Sequence, residues 1–285
     1  MGKKMHTVGL VMKSLQADFF KDMQRGAEQF VDREKCCELI STGTQSQTEV
    51  ERQIELVEEL TARGVDAIVV VPIDSKALVA PVAKAVKAGI KVVNIDIKLD
   101  DELLTREGVK VDFVGPDNLA ASYAVAERLA STLPSGTPVA VIEGLPVADN
   151  ARQRKAGADR AIREHGLDCV ASVPANWEID TAQDVFGKIL SEHPEVKGVF
   201  SCNDAMAIGV INVLKGAGKA PGEIAVTGFD NDAVMRPLLD DGWLMATVDA
   251  YGSQMAVEGI RHALKLLECG ADSIGDKATT FDIIA

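Results

Sequence analysis

Short apolar runs of strand length alternate along the chain with longer stretches in which apolar residues recur every three or four positions. The runs His6 to Met12, Glu38 to Ser41, Ala67 to Val71 and Lys91 to Ile95 read as strands, the richest of them in the Val and Ile that suit a strand buried on both faces. Helical periodicity over Phe19 to Asp32, Ser46 to Ala62 and Lys76 to Ala88 separates them. Arg63-Gly64-Val65 and Ala88-Gly89-Ile90 place a glycine where helix gives way to strand, as a left-handed cap requires. This alternation predicts a parallel sheet with helices on both faces.

The pattern then breaks. Between Ile97 and Lys110 the stretch IKLDDELLTREGVK is charged and loses the strand period, and a second alternating series begins at Val111 to Val114. It continues through Pro138 to Ile142, Asp168 to Val173, Gly198 to Phe200 and Ile224 to Thr227, with helices between. Two doubly wound α/β units are therefore expected. A last strand-like stretch, Met245 to Val248, leads into a long helix, Ser253 to Glu268, and a terminal run, Thr280 to Ile284. Neither unit accounts for this tail alone, so a chain that crosses back between them is expected.

Composition narrows the function. A chain of 285 residues that is 47% hydrophobic can bury a core in each of two domains. Thirty Lys and Arg against 43 Asp and Glu give a net charge of −13, the wrong sign for neutralising phosphates or an anionic membrane, so nucleic acid is not an expected partner. No apolar run approaches the ~18 residues of a transmembrane span, and Met1 to Lys4 is too short and polar for a signal peptide. The cysteines Cys36, Cys37, Cys169, Cys202 and Cys269 are odd in number, lack zinc-site spacing and are expected to be buried small side chains.

In open parallel sheets ligands bind at the carboxyl ends of the strands. Lys13, Phe19 and Phe20 follow the first expected strand, and Asn94, Asp96 and Lys98 the fourth. In the second unit the corresponding positions hold Glu143 with Arg152 and Arg154 beyond it, Asn176 and Trp177, Asn203 and Asp204, and Asp230 with Asn231. Singly these have ordinary explanations: an Asp as a helix cap, an aromatic as a first apolar turn, arginines as a solvated face. Together they are the inventory for a polyhydroxylated ligand, since carboxylates accept from hydroxyls, a guanidinium donates a fork, and flat rings cover the apolar face of a sugar.

The same residues are poor for catalysis. His6, His165, His193 and His262 stand beside no strand-end serine or cysteine, and no cluster has metal spacing. The stretch KGAGKAPG from Lys215 follows a helix and has Ala220 where a phosphate loop needs Ser or Thr, so it reads as a cap and turn. No G-x-G-x-x-G follows the first strand, and no cofactor is expected.

From Thr7 nearly to the C-terminus the chain resembles the type I periplasmic sugar-binding proteins of the ribose and allose group. TVGLVMKSLQADFFKDMQRGAEQF, ARGVDAIVVVPIDSKAL, GIKVVNIDIKLD, VASVPANW, VFSCNDAMAIGVINVLKGAGK, VTGFDND and LMATVDA match that family's landmarks in order and spacing, most closely those of its allose-binding branch. The resemblance implies two Rossmann-like lobes joined by a multi-crossing hinge, one of residues 1–115 and 251–278, the other of 116–250 and 279–285, with a ligand cleft between. It implies that Phe19, Phe20 and Trp177 sandwich a sugar ring whose hydroxyls bond Lys13, Asp96, Arg154, Asn203 and Asp230, leaving Asp204 to cap its helix. It also implies a monomer, exported to the periplasm or tethered outside the membrane, that closes on its ligand and docks on an ABC-type permease without catalysis.

Four positions depart from the family's polar pattern: Ala17, Val71, Ile97 and Ala250. A hydroxyl left unpaired against such an apolar wall costs about 1–3 kcal/mol, which argues for a sugar alcohol or an aldose outside the usual ribose or allose pose, with Gln16, Lys98 and Asp249 nearby as substitutes. A furanose-like ligand also fits the aromatics. The main rival is the effector domain of a lac-repressor-family regulator, which has the same fold, but no helix-turn-helix precedes the first strand. A phosphate-using α/β enzyme is opposed by the missing phosphate loop and base.

Overall fold

The computed structural model describes residues 5–285 and divides the chain into two compact units. The first unit takes the stretch ending at Pro116, together with Val147–Asp149 and Tyr251–Thr279. The second takes Asp117–Pro146, Asn150–Ala250 and Thr280–Ala285.

In chain order the first unit opens with β1 (Thr7–Met12), α1 (Asp18–Glu34), β2 (Glu38–Gly43), α2 (Val50–Arg63), β3 (Ala67–Val70), α3 (Val79–Lys87), β4 (Lys91–Ile95), α4 (Asp101–Glu107) and β5 (Asp112–Pro116). The second unit supplies α5 (Asn118–Ala130), β6 (Pro138–Glu143), most of α6 (Asp149–Glu164), β7 (Asp168–Pro174), α7 (Ile179–Glu192), β8 (Gly198–Ser201), α8 (Asp204–Gly216), β9 (Ala225–Thr227), α9 (Met235–Asp240) and β10 (Thr247–Asp249). The tail holds α10 (Gly252–Cys269), β11 (Lys277–Thr279) and β12 (Asp282–Ile284).

The first unit's sheet has the order β11-β5-β4-β3-β1-β2 with every pairing parallel. One face packs on α2 and α3 through Leu56, Leu60, Ile68, Val70, Leu78 and Val82. On the other face α10 lies so close that a Cβ on Gly259 would stand 2.7 Å from Ile95 Cγ2. The strands read as continuous apolar runs because both faces are covered.

Three expectations change. The second series does not begin at Val111, because β5 belongs to the first sheet, pairing with β4 in register Val93 to Asp112. The charged break hides α4, a seven-residue helix whose cap, Asp100, accepts from Leu103 N; so short a helix with one buried residue shows no period. The cysteines are not uniformly buried: Cys37 and Cys202 are, Cys36 is intermediate, and Cys169 and Cys269 are exposed. Cys169 lies on β7, an edge strand of its sheet, where neither face is fully covered.

Asp112 ties the tail to the first sheet. Its carboxylate accepts from Ser273 Oγ at 2.5 Å and Ile274 N at 2.8 Å and stands 2.8 Å from His262 Nε2. The second unit has a parallel sheet in the order β7-β6-β8-β9 and an antiparallel pair, β10 with β12, in register Thr247 to Ile284. Thus α10 and β11 belong to one unit and β12 to the other. No helix of the described residues is long and apolar enough to cross a membrane.

Candidate functional site

In the first unit the residues in question sit where β1, β3 and β4 end. Lys13 follows β1 and is buried, with Nζ 5.8 Å from the centroid of the Phe20 ring. Phe19 and Phe20 open α1, both buried, their rings edge to face with centroids 5.2 Å apart. Ala17, at the N-cap, makes no side-chain cap; Ser14 Oγ instead accepts from Gln16 N at 3.2 Å and Ala17 N at 3.4 Å. Only because residue 252 is glycine can Phe19 lie where it does: a Cβ there would stand 2.7 Å from its ring.

Asp96 follows β4 with φ +63, a left-handed conformation that suits few residues besides Gly, Asn and Asp. Asn94 holds that turn. Its Nδ2 donates to Ile97 O at 2.6 Å and its Oδ1 accepts from Leu99 N at 2.8 Å. Gln53 does the same between strands, donating to Val71 O at 2.7 Å while accepting from Ile73 N at 2.7 Å. These two fully used amides explain why polar residues stand beside an apolar wall: Val71 and Ile97 are completely buried. Gln16 is exposed and donates to Gln45 Oε1, while Lys98 pairs with Asp101 at 2.9 Å and Asp276 at 3.2 Å.

In the second unit Arg154 is the centre of a buried cluster. Its Nε donates to Asn118 Oδ1 at 3.0 Å and its Nη1 to Cys202 O at 3.0 Å and Asp230 Oδ1 at 3.2 Å. The guanidinium carbon lies 3.5 Å from the centroid of Phe229 and 5.5 Å from that of Trp177. Flat guanidinium against flat ring keeps the cation stabilised while water is excluded. Trp177 is buried after β7 with φ +71, and Gly144 makes room for it, since a Cβ there would fall 2.1 Å from Cη2. Arg152 by contrast is exposed and donates to Pro146 O.

The cap of α8 is not the residue the resemblance implied. Asn203, with extended backbone, is the N-cap, its Oδ1 accepting from Met206 N at 2.9 Å. Asp204 is already the first helical residue, a position from which a side chain does not cap. Its carboxylate turns instead to Thr247 Oγ1 at 2.7 Å and Asp232 N at 2.9 Å. Burial, and after it the charge of Asp230, pushes the Asp204 carboxyl up to about 7. The cap engages Asn203 through Oδ1 and not through Nδ2. Asp230 has φ +119 and donates its N–H to Val248 O at 2.8 Å; Asp249 accepts from Asn231 Nδ2 at 3.0 Å.

Each unit therefore gathers its own share of the expected residues: Lys13, Phe19, Phe20 and Asp96 at the strand ends of the first, and Arg154, Trp177, Asn203 and Asp230 at those of the second. Sequence reasoning missed Asn118, Phe229, Gln53 and Thr247. Phe229 had a signal, being next to Asp230, whereas Asn118 lies 36 positions from Arg154 and had none. Among the described residues no group of three or more His, Cys, Asp or Glu could hold a metal ion.

Residues 8–272 match the family model described as the periplasmic binding protein domain. The D-ribose/D-allose-binding protein of Pseudomonas aeruginosa is 42% identical over 264 residues, 91% of this chain and 82% of that protein. The crystal structure of an ABC transporter solute-binding protein from Burkholderia multivorans, with an unknown ligand represented as α-D-erythrofuranose, superposes with a TM-score of 0.96 at 39% identity, covering 99% of this chain and all of that one. A periplasmic solute-binding protein from Actinobacillus succinogenes with bound D-allose gives 0.91 at 33% identity, covering 98% and 97%.

Proposed function

We propose that this chain, which belongs to the periplasmic binding protein family, is the solute-binding protein of an ABC-type importer and binds a monosaccharide or sugar alcohol. The observation that carries the reading is Arg154, buried against the faces of Phe229 and Trp177 and bonded to the Asp230 carboxylate. A donor fork, an acceptor and a flat ring fixed together match the alternating hydroxyls and apolar face of a sugar. The names of the relatives, for ribose and allose, and the bound D-allose of the Actinobacillus protein support the ligand class.

In this reading Phe19, Phe20 and Trp177 cover the ring faces, and Lys13, Asp96, Arg154, Asn203 and Asp230 bond the hydroxyls. A ligand that makes more contacts in a closed arrangement than in an open one favours the closed form, and that form docks on the permease. The chain itself does no chemistry. It works as a monomer in the periplasm or tethered outside the membrane. Val71, Ile97, Ala17 and Ala250 disfavour ribose or allose in the usual family pose, since each hydroxyl left unpaired against them costs about 1–3 kcal/mol.

The test is a thermal-shift series with D-ribose, D-allose, their deoxy analogues, erythritol and ribitol. A ligand that binds only the folded state stabilises it by RT ln(1 + [L]/Kd). At least one of these raises the melting temperature, and Asp230→Ala or Asn203→Ala abolishes the shift. Absence of a shift with every sugar and polyol would end the reading; a shift retained in both variants would remove those two residues from the site.

A further inference from the structure

Asp204 is fully buried, yet the helix it opens does not need its carboxylate, because Asn203 already supplies the cap. One of its oxygens turns instead to the segment that carries Asp230 and the other to Thr247 on β10. Asp204 N donates to Phe229 O at 2.8 Å, Oδ2 accepts from Asp232 N at 2.9 Å, and Oδ1 accepts from Thr247 Oγ1 at 2.7 Å. Thr247 Oγ1 in turn accepts from Asn231 N at 3.3 Å. Positions 231 and 232 are thus tied to the Asp204 carboxylate, one through the Thr247 hydroxyl and one directly, while position 229 is held by the Asp204 backbone N–H, and Asp230 is the residue between the ties.

Asp230 needs such ties. Its φ of +119 is one that L side chains rarely adopt, and a strained backbone persists only where its surroundings over-determine it. The approach is also reserved in the sequence, since a Cβ on Gly228 would fall 2.1 Å from Asp204 Oδ1. Asp230 faces Arg154 on its other side, at 3.2 Å. A buried carboxylate next to a second carboxylate is costly, and nothing in the helix calls for it.

We propose that Asp204, acting through Thr247, is a positioning residue for ligand binding: it locks the turn of residues 229–232 so that the Asp230 carboxylate is presented in one fixed place beside Arg154. The inference rests on the sugar-binding reading of Asp230 given above. Its consequence is that affinity depends on a residue that touches no ligand.

The experiment compares wild type with Asp204→Asn, Thr247→Val and Thr247→Ser, measuring D-ribose and D-allose binding by calorimetry and backbone amide exchange at Asn231 and Asp232. Asp204→Asn and Thr247→Val each weaken binding about tenfold and speed exchange at both amides, while Thr247→Ser, which keeps the hydroxyl, restores both. In an Asp230→Asn background the loss from Asp204→Asn shrinks, because the group being positioned is gone. An equal loss in both backgrounds, or unchanged exchange in both variants, overturns the proposal. If wild type binds neither sugar, the binding arm is run with the member of the thermal-shift series that raises the melting temperature; if none does, the sugar-binding reading falls, faster exchange then still supports the lock, and unchanged exchange overturns it too.

Discussion

The two units solve one problem with different chemistry. Each presents an aspartate at a strand end in a left-handed conformation, Asp96 at φ +63 and Asp230 at φ +119. In the first unit a neutral amide, Asn94, holds the turn by donating to Ile97 O and accepting from Leu99 N. In the second a carboxylate, Asp204, does so. Each unit also seats an aromatic ring by leaving out a side chain, Gly252 for Phe19 and Gly144 for Trp177. The lesson is that a strained turn needs a side chain that bonds its backbone or its neighbours in matching geometry, and that where the first unit uses Asn94 the second uses an ionisable group. Its turn is accordingly the pH-sensitive one.

The largest effect that would separate the units comes from Arg154, a guanidinium where the first unit's buried cation is the ammonium of Lys13. Arg154→Ala leaves Asp230 without its cation and opens a gap beside Phe229, and breaking a buried pair in this way costs about 3–5 kcal/mol. Chemical denaturation measures it, and a loss below about 1 kcal/mol would deny the cluster its central place.

Asn94→Ala orphans a buried N–H and a buried carbonyl, so a loss of about 2–3 kcal/mol is expected by the same measurement. The loss should be the same at pH 5 and pH 8, since the bonds removed are those of an amide that does not ionise in that range. A pH-dependent loss would erase the contrast with Asp204.

Added methyls come next. Gly144→Ala drives a Cβ into the indole at 2.1 Å and Gly252→Ala one into the Phe19 ring at 2.7 Å, each costing about 1–3 kcal/mol with the first the larger. A change in tryptophan fluorescence confined to Gly144→Ala reports which ring moved.

The smallest effect is the slope with pH. With its carboxyl pushed up to about 7 by burial and then by Asp230, Asp204 holds a proton in the folded protein that the unfolded chain releases near 3.9. Its stabilising contribution is full below that lower value and is lost as pH rises through about 7, with a slope of at most about 1.4 kcal/mol per pH unit. Asp204→Asn flattens the slope between pH 5 and pH 7; an unchanged slope would place the titration elsewhere.

What was legible in the residues was whatever short-range physics controls. Buried parallel strands announce themselves as apolar runs, and Lys91 to Ile95 coincides with the observed strand at both ends. The left-handed cap at Gly64 needs only its own backbone. Helix α4 was hidden because seven residues hold too few turns for a period, and Asp112–Pro116 was assigned to the wrong series because a strand's sequence does not say which sheet it joins. The strand-end side chains were legible by chemistry and position, since loops after parallel strands are where ligands are met.

The supports beneath them were not. Asn118 reaches Arg154 across 36 positions and Thr247 reaches Asp204 across 43, and nothing local distinguishes either from an ordinary polar residue. That Asn203 and not Asp204 caps α8 turned on where the first helical φ and ψ fall, a matter of one residue that the tertiary contacts of the turn decide. The sequence by itself determined the strands, the helices and the inventory of polar and aromatic groups, because these follow from burial and neighbouring backbone. Which of those groups face outward and which brace them was decided only by the tertiary structure, because hydrogen-bond partners are chosen by distance in space and not along the chain.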